Sequence, residues 1–270
     1  MTIGGEPLLL VGAGKMGGAL LQGWLDRGFD PARIIVLEPD PSPQVAALCA
    51  ARGVGLGMPP TPPSVLVLAV KPQMLDAVAP RLAPLAMEST LVISILAGKT
   101  IRNVSDRLPG AGAIVRAMPN LAAAIGCGIT AAVADAKATP AQRRTADALL
   151  SAVGHVEWLS EESLMDAVTA VSGSGPAYVF YLAECLAKAG MESGLPADLA
   201  ARLARATIEG AGALLARRPD VSPAELRESV TSPGGTTAAA LAILKGEEGL
   251  EKLIAEAVAA AKRRTRELSG

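Results

Sequence analysis

The sequence predicts an α/β protein: a parallel sheet with flanking helices over residues 1–160, followed by an all-helical region over 161–270. Three observations predict it. Short, unbroken apolar runs alternate with helix-like stretches through the first half. A glycine-rich segment, Gly12–Gly17, stands between the first such run and the first helix. Beyond about Ser160 no strand-like run remains, and the pattern turns helical.

Leu8–Val11 reads as a buried strand, and Lys15 to Arg27 as the helix after it. Ile34–Leu37 and Pro43–Arg52 repeat the pair. Val65–Val70, Leu91–Ile95 and Ile114–Ala117 supply the third, fourth and fifth strands. Strands covered on both faces are continuously apolar rather than alternating, and their alternation with helices implies parallel pairing through right-handed crossovers. Ile129–Ala134 and His155–Trp158 extend the sheet, with Pro140–Ala152 helical between them.

In the second half the expected helices are Glu161–Ser172, Pro176–Ala189, Pro196–Arg217, Pro223–Val230, Thr236–Lys245 and Glu247–Glu267. Several begin with proline, whose missing N–H costs nothing in a first helical turn. The last carries Leu250, Leu253, Ile254, Ala257, Val258 and Ala261 on one face. Thr236–Leu244 is apolar almost all round, which a region of roughly 110 residues cannot cover by itself. The expectation is an oligomer in which such helices pack across a subunit boundary.

Composition excludes several classes. Net charge is −1, so no general nucleic-acid field is expected. The one basic cluster, Lys262, Arg263, Arg264 and Arg266, falls at a helix end, where positive charge complements the dipole. Cys49, Cys127 and Cys185 are odd in number and widely spaced, and His155 is the sole histidine, so neither a disulfide framework, a metal site nor a histidine-based triad is expected. No apolar run suits a bilayer and no basic-then-apolar leader precedes Leu8, so a cytoplasmic location without membrane association is expected.

Gly12, Ala13, Gly14, Lys15, Met16 and Gly17 form a GxGxxG motif in the context such a motif needs, after a strand and before a helix. Gly12 permits the turn, Gly14 admits a pyrophosphate against the backbone, and Gly17 lets helix and strand approach; the phosphates meet free N–H groups at the positive helix end. NADPH or NADH is the cofactor implied. Glu38, about 20 residues on, is placed to take the adenosine ribose and to disfavour a 2′-phosphate; the alternative leaves Glu38 in solvent, with backbone around Pro39–Ser42 holding that phosphate. Ala69, Val70, Lys71 and Pro72 end the third strand on the cofactor side.

Ser232, Gly234, Gly235 and Thr236 precede an alanine-rich helix and offer a second cluster of main-chain amides, suited to a carboxylate. A plain turn with a threonine cap is the alternative. Ser172–Ala177 puts glycines between helical stretches, read as close backbone approach or a helix break. Tyr178, Phe180 and Tyr181 are read as core or interface residues.

Together GAGKMG, AVKP at 69–72, MPN at 118–120, VSGSGPAY at 171–178 and TSPGGTT at 231–237 resemble, in order and spacing, the pyrroline-5-carboxylate reductases. The resemblance covers nearly the whole chain. It implies a Rossmann-type domain and a helical dimerisation domain, an intertwined homodimer that assembles further as a pentamer of dimers, and a cyclic imine acid as substrate. It places Asn120 on the cofactor side and the substrate carboxylate on the amides of Gly234, Gly235 and Thr236, with Ser232 nearby. It assigns Thr237 as donor to the ring nitrogen. The family usually continues MPN with Thr-Pro, where this chain has Leu121-Ala122. Two alternatives stay open at this point: a reductase of a different cyclic imine or of a small β-hydroxy acid, the latter working through Lys188, and a non-catalytic dinucleotide-binding protein that senses redox state or scaffolds partners.

Overall fold

The computed structural model describes residues 7–269. The chain divides into two compact units, Met1–Gly173 with Lys262–Gly270, and Ser174–Ala261.

The first unit is built on an eight-stranded sheet. Its elements run β1 (Leu8–Val11), α1 (Lys15–Asp26), β2 (Ile34–Leu37), α2 (Pro43–Arg52), β3 (Gly55–Leu56), β4 (Val65–Leu68), α3 (Leu75–Leu82), β5 (Leu91–Ser94), α4 (Ile101–Ser105), β6 (Ala113–Met118), β7 (Gly128–Ala134), α5 (Pro140–Leu150), β8 (Gly154–Trp158) and α6 (Met165–Val168). The strand order is β3-β2-β1-β4-β5-β6-β7-β8. It reverses between β1 and β4, the switch point beyond which ligands bind in open sheets of this kind.

Alternate residues of each strand go to opposite faces. Leu8, Leu10, Val65 and Val67 join Leu20, Leu21 and Trp24 of α1 in one core. Leu9, Val11, Leu66 and Leu68 join Leu75, Ala79 and Leu82 of α3 in the other. This two-sided burial is why the strands are continuously apolar. Trp24 is fully buried and its indole N–H donates to the Leu149 carbonyl at 2.9 Å, pinning α1 to α5.

Four expectations need correction. The sheet is not wholly parallel, because β7 runs antiparallel to β6. Only a short 3-10 turn, Leu121–Ile125, joins them, too little chain for a crossover. The expected helix Glu161–Ser172 is broken into a 3-10 turn at Glu162–Leu164, α6, and a π-helical turn at Thr169–Gly173, in keeping with the glycines that follow. The last helix starts at Leu250 rather than Glu247, because Gly246 and Gly249 close a turn ahead of it. Two further helices, α3 and α4, form where the strand pattern left loops.

The second unit contains α7 (Gly175–Glu192), α8 (Ala197–Arg217), α9 (Pro223–Ser229), α10 (Thr236–Leu244) and most of α11 (Leu250–Ser269). Among its described residues only Ala200 and Ala204 are buried apolar side chains, whereas Phe180, Leu186, Leu214 and Ile243 are exposed. No residue of α7 or α10 is buried. A helical unit with so little core of its own needs a second surface against it. Among the described residues no helix is long and apolar enough to cross a membrane.

Candidate active site

The carboxyl ends of β1, β2, β4 and β6 bring the first group of expected residues to one edge of the sheet. Gly12 follows β1 at φ +91°, a conformation that favours glycine, and a Cβ there would stand 2.8 Å from the backbone of Ala69 and Val70. A Cβ on Gly17 would overlap the Gly12 carbonyl oxygen and meet the Ala69 side chain at 3.2 Å. Turn, helix and the end of β4 are thus wedged together through these glycines. Gly14 differs: a Cβ there has nothing within 4 Å. Its space faces outward, where a ligand would lie.

Gly14 caps α1 without a side-chain hydrogen bond, and the first turn carries no acidic residue. The amides of Lys15, Met16 and Gly17 therefore have no intrahelical acceptor and lie at the positive end of α1. Beside them is a cavity of about 500 Å³ lined by Ala13, Gly14, Lys15, Glu38, Asp40 and Ser42, among others. Its size suits part of a dinucleotide.

Glu38 does not point to solvent. Its carboxylate accepts from the Ala13 amide at 3.0 Å and from the Asp40 amide at 3.4 Å, so it braces the glycine turn from the end of β2. With Asp40 on the same wall, two carboxylates line this cavity, and among the described residues Lys15 is its only cation. Glu38→Ala is accordingly expected to narrow any preference for NADH over NADPH by about tenfold, checked by the ratio of their kcat/KM values.

After β4, Lys71 caps a 3-10 turn, Pro72–Met74, and both Lys71 and the preceding backbone stand at the same edge. Asn120 follows β6. Its side-chain oxygen accepts from the Ile129 amide at 3.3 Å, and its amide donates to the Ser172 hydroxyl at 3.5 Å. Asn120 thus ties the end of β6 to the glycine-bearing segment before α7. The turn after it forms with Leu121-Ala122 in place, closed by the Ala123 amide on the Asn120 carbonyl at 3.1 Å.

Sequence reasoning missed one pair at this edge. Arg116, within β6, is buried and bonded to Glu162 at 2.8 Å. The same Glu162 oxygen accepts from the Ile101 amide at 2.8 Å, opening α4. One carboxylate therefore joins β6, the loop after β5 and the segment leading to α6. Arg116→Ala is expected to destabilise the fold by roughly 2 kcal/mol, because Glu162 is left part-buried without its cation. Glu162→Gln, which keeps an acceptor, should lose less; denaturant midpoints decide.

The second group lies in the helical unit. Gly234 takes φ +69°, and a Cβ on Gly235 would overlap the Ser232 hydroxyl. The Gly235 amide donates to the Ser232 carbonyl at 3.0 Å, closing the turn. Gly235 caps α10 with no side-chain hydrogen bond, so the amides of Thr236 and Thr237 stand open at its positive end. Thr236 is exposed and Thr237 half-buried. The Thr237 hydroxyl has no hydrogen-bond partner among the described residues.

Elsewhere the chemistry is sparse. Burial pushes the Cys49 thiol up in pKa and so keeps it protonated. No group of three or more His, Cys, Asp or Glu among the described residues could hold a metal ion.

Comparison with known proteins agrees with this arrangement. Residues 162–268 match the family described as pyrroline-5-carboxylate reductase dimerisation, and residues 8–98 match NADP oxidoreductase coenzyme F420-dependent. A pyrroline-5-carboxylate reductase of Synechocystis is 48% identical over 204 residues, 76% of this chain and 74% of that protein. A solved structure of the pyrroline-5-carboxylate reductase of Coxiella burnetii superposes with a TM-score of 0.90 at 33% identity, covering 98% of this chain and 99% of the other. That of Plasmodium falciparum pyrroline carboxylate reductase with NADP bound gives 0.82 at 25% identity over the whole of both chains. With a glycine turn braced for a dinucleotide, a second open helix start and relatives that match end to end, the chain belongs to the pyrroline-5-carboxylate reductase family.

Proposed function

We propose that the chain reduces 1-pyrroline-5-carboxylate to L-proline with NADPH or NADH, by hydride transfer to the imine carbon, the last step of proline biosynthesis. One observation carries the reading: two separate helix starts, at Gly14 and at Gly235, present main-chain amides with no side-chain cap. Each is a cradle for an anion, one for a pyrophosphate and one for a carboxylate. Family membership and the Plasmodium relative solved with NADP support the choice of ligands.

The reduced nicotinamide, when bound, supplies the hydride. The protein supplies grip and orientation. The Gly12–Gly17 turn holds the pyrophosphate through the open amides of Lys15, Met16 and Gly17, Glu38 takes ribose hydroxyls, and Ala69–Pro72 and Asn120 border the remainder. Ser232, Gly234, Gly235 and Thr236 form the turn against which the substrate carboxylate lies. Because the Gly235 amide already closes its turn, Thr236 and Thr237 amides are the ones open to it. The Thr237 hydroxyl donates to the ring nitrogen. A threonine hydroxyl is a weak acid, so Thr237 positions the nitrogen and passes on a proton rather than serving as its source. Fixing two partners face to face accounts for most of the rate advantage.

Residues 1–160 are the dinucleotide-binding part and 161–270 the substrate-binding and dimerising part. The family match over 162–268 and the coreless helical unit support a homodimer as the smallest active form. A pentamer of dimers is the larger assembly, which sedimentation would detect. The direct test follows reduced-nicotinamide absorbance with pyrroline-5-carboxylate, in parallel for NADH and NADPH. Substrate-dependent oxidation yielding proline is expected; none with either cofactor ends the reading.

A further inference from the structure

A cavity of about 780 Å³ opens beyond the carboxyl end of α1, lined by Arg27, Phe29, Arg143, Arg144, Asp147 and Trp158, among others. It shares no lining residue with the dinucleotide cavity. Along α1 the nearest lining residues of the two are Gln22 and Arg27, a rise of roughly 7.5 Å along the helix.

Its charge is unusual for this chain. Many arginines sit against a carboxylate, as in Arg33 with Asp30, Arg52 with Asp26 and Arg202 with Asp198. Arg27, Arg143 and Arg144 have no carboxylate within ion-pair distance among the described residues. Among the described residues the wall carries one carboxylate, Asp147, which accepts from the Trp158 indole N–H at 2.9 Å. Arg143 lies over the Trp158 ring, 5.5 Å from its centre, which steadies its guanidinium. Three like charges gathered on one concave wall repel each other, in a chain whose net charge is −1. An anion in the cavity relieves that repulsion. Guanidinium forks match phosphate oxygens two at a time, and three cations against a single carboxylate match several linked phosphates better than one acid group. The volume lies in the range of small-molecule sites.

We propose that this cavity is a third anion site, apart from the two helix starts, binding a small polyphosphate either free or as the tail of a nucleoside triphosphate. Trp158 reports its occupancy. The chain has two tryptophans, and Trp24 is sealed in the core. The test titrates the full chain, kept saturated with NADP⁺ so that the glycine turn is occupied, with inorganic tripolyphosphate and separately with guanosine triphosphate. Tryptophan emission and calorimetry are followed together, since Arg143 substitution alters the emission by itself. Saturable binding is expected in at least one arm, weakening as salt is raised. It should weaken at least about tenfold in Arg143→Ala/Arg144→Ala, while the reductase reaction is unchanged. Equal affinity in the two arms means the phosphates alone are read; tighter binding of the nucleotide means the base adds contacts on the same wall. No saturation in either arm up to about 10 mM, or binding that survives the double substitution, overturns the proposal. Since the arginine variants are read against the parent chain, failure here is separable from failure of the reductase reading.

Discussion

Gly14→Val is expected to weaken dinucleotide binding by about 100-fold or more, roughly 2.7 kcal/mol, while leaving the fold intact; Gly17→Val is expected to do nearly the reverse. The two glycines stand three residues apart in one motif, but their surroundings differ. Around the Cβ position of Gly14 there is open space, and its backbone already has a φ of −65° that valine adopts without strain. The added methyl groups fill only the place where a pyrophosphate approaches the amides. At Gly17 the same change drives carbon into the Gly12 carbonyl oxygen and the Ala69 side chain. Those atoms belong to the turn and to the loop after β4, neither of which can retreat without opening the core below. A loss of about 3 kcal/mol or more of stability follows from overpacking of this kind. Calorimetric titration with NADP⁺ and thermal unfolding, run on both variants, separate the effects. Normal affinity in Gly14→Val removes this turn from cofactor binding.

Thr237→Ala is expected to lower kcat by about 100-fold with little change in the melting temperature. The hydroxyl has no structural hydrogen bond to lose, and alanine in the first turn of α10 is at least as good a helix former. Loss of a donor aimed at the ring nitrogen affects the step in which that nitrogen gains electron density, so kcat should fall more than KM rises. Thr237→Ser, which keeps the hydroxyl, should recover most of the rate. An unaltered kcat in the alanine variant takes Thr237 out of the mechanism.

Much of the framework was legible in the sequence because its causes are local. β1, β2, β4, β5 and β6 are short apolar runs whose two-sided burial leaves no alternation, and α2, α5 and α9 begin with proline in the first turn behind a serine or threonine cap. The glycine turn was legible for the same reason. What escaped depends on distant partners. Arg116 reads as an odd residue inside an apolar strand, because Glu162, which makes its burial tolerable, is 46 positions away. Glu38 carried two readings, and its bond to the Ala13 amide cannot be seen from spacing. The direction of β7 followed from how little chain joins it to β6. Helix α3 was obscured by Pro80 within it, although Leu75, Ala79 and Leu82 lie on one face. Helix α4 is only 5 residues long, too short for periodicity to register, yet Thr100 and Asn103 cap it reciprocally.

Helix α10 has one further consequence. It begins with the threonines assigned to the substrate and continues as Ala-Ala-Ala-Leu-Ala-Ile-Leu, yet none of its residues is more than half-buried within its own chain. In the homodimer proposed above, a neighbouring copy would complete the order of its first turn, and with it the aim of Thr237. Dilution would act as an inhibitor: once protomers part, the oxyanion grip loosens before any cofactor leaves. Variants far from the reacting atoms, on the outer side of this helix, would register as catalytic defects that rise with falling enzyme concentration.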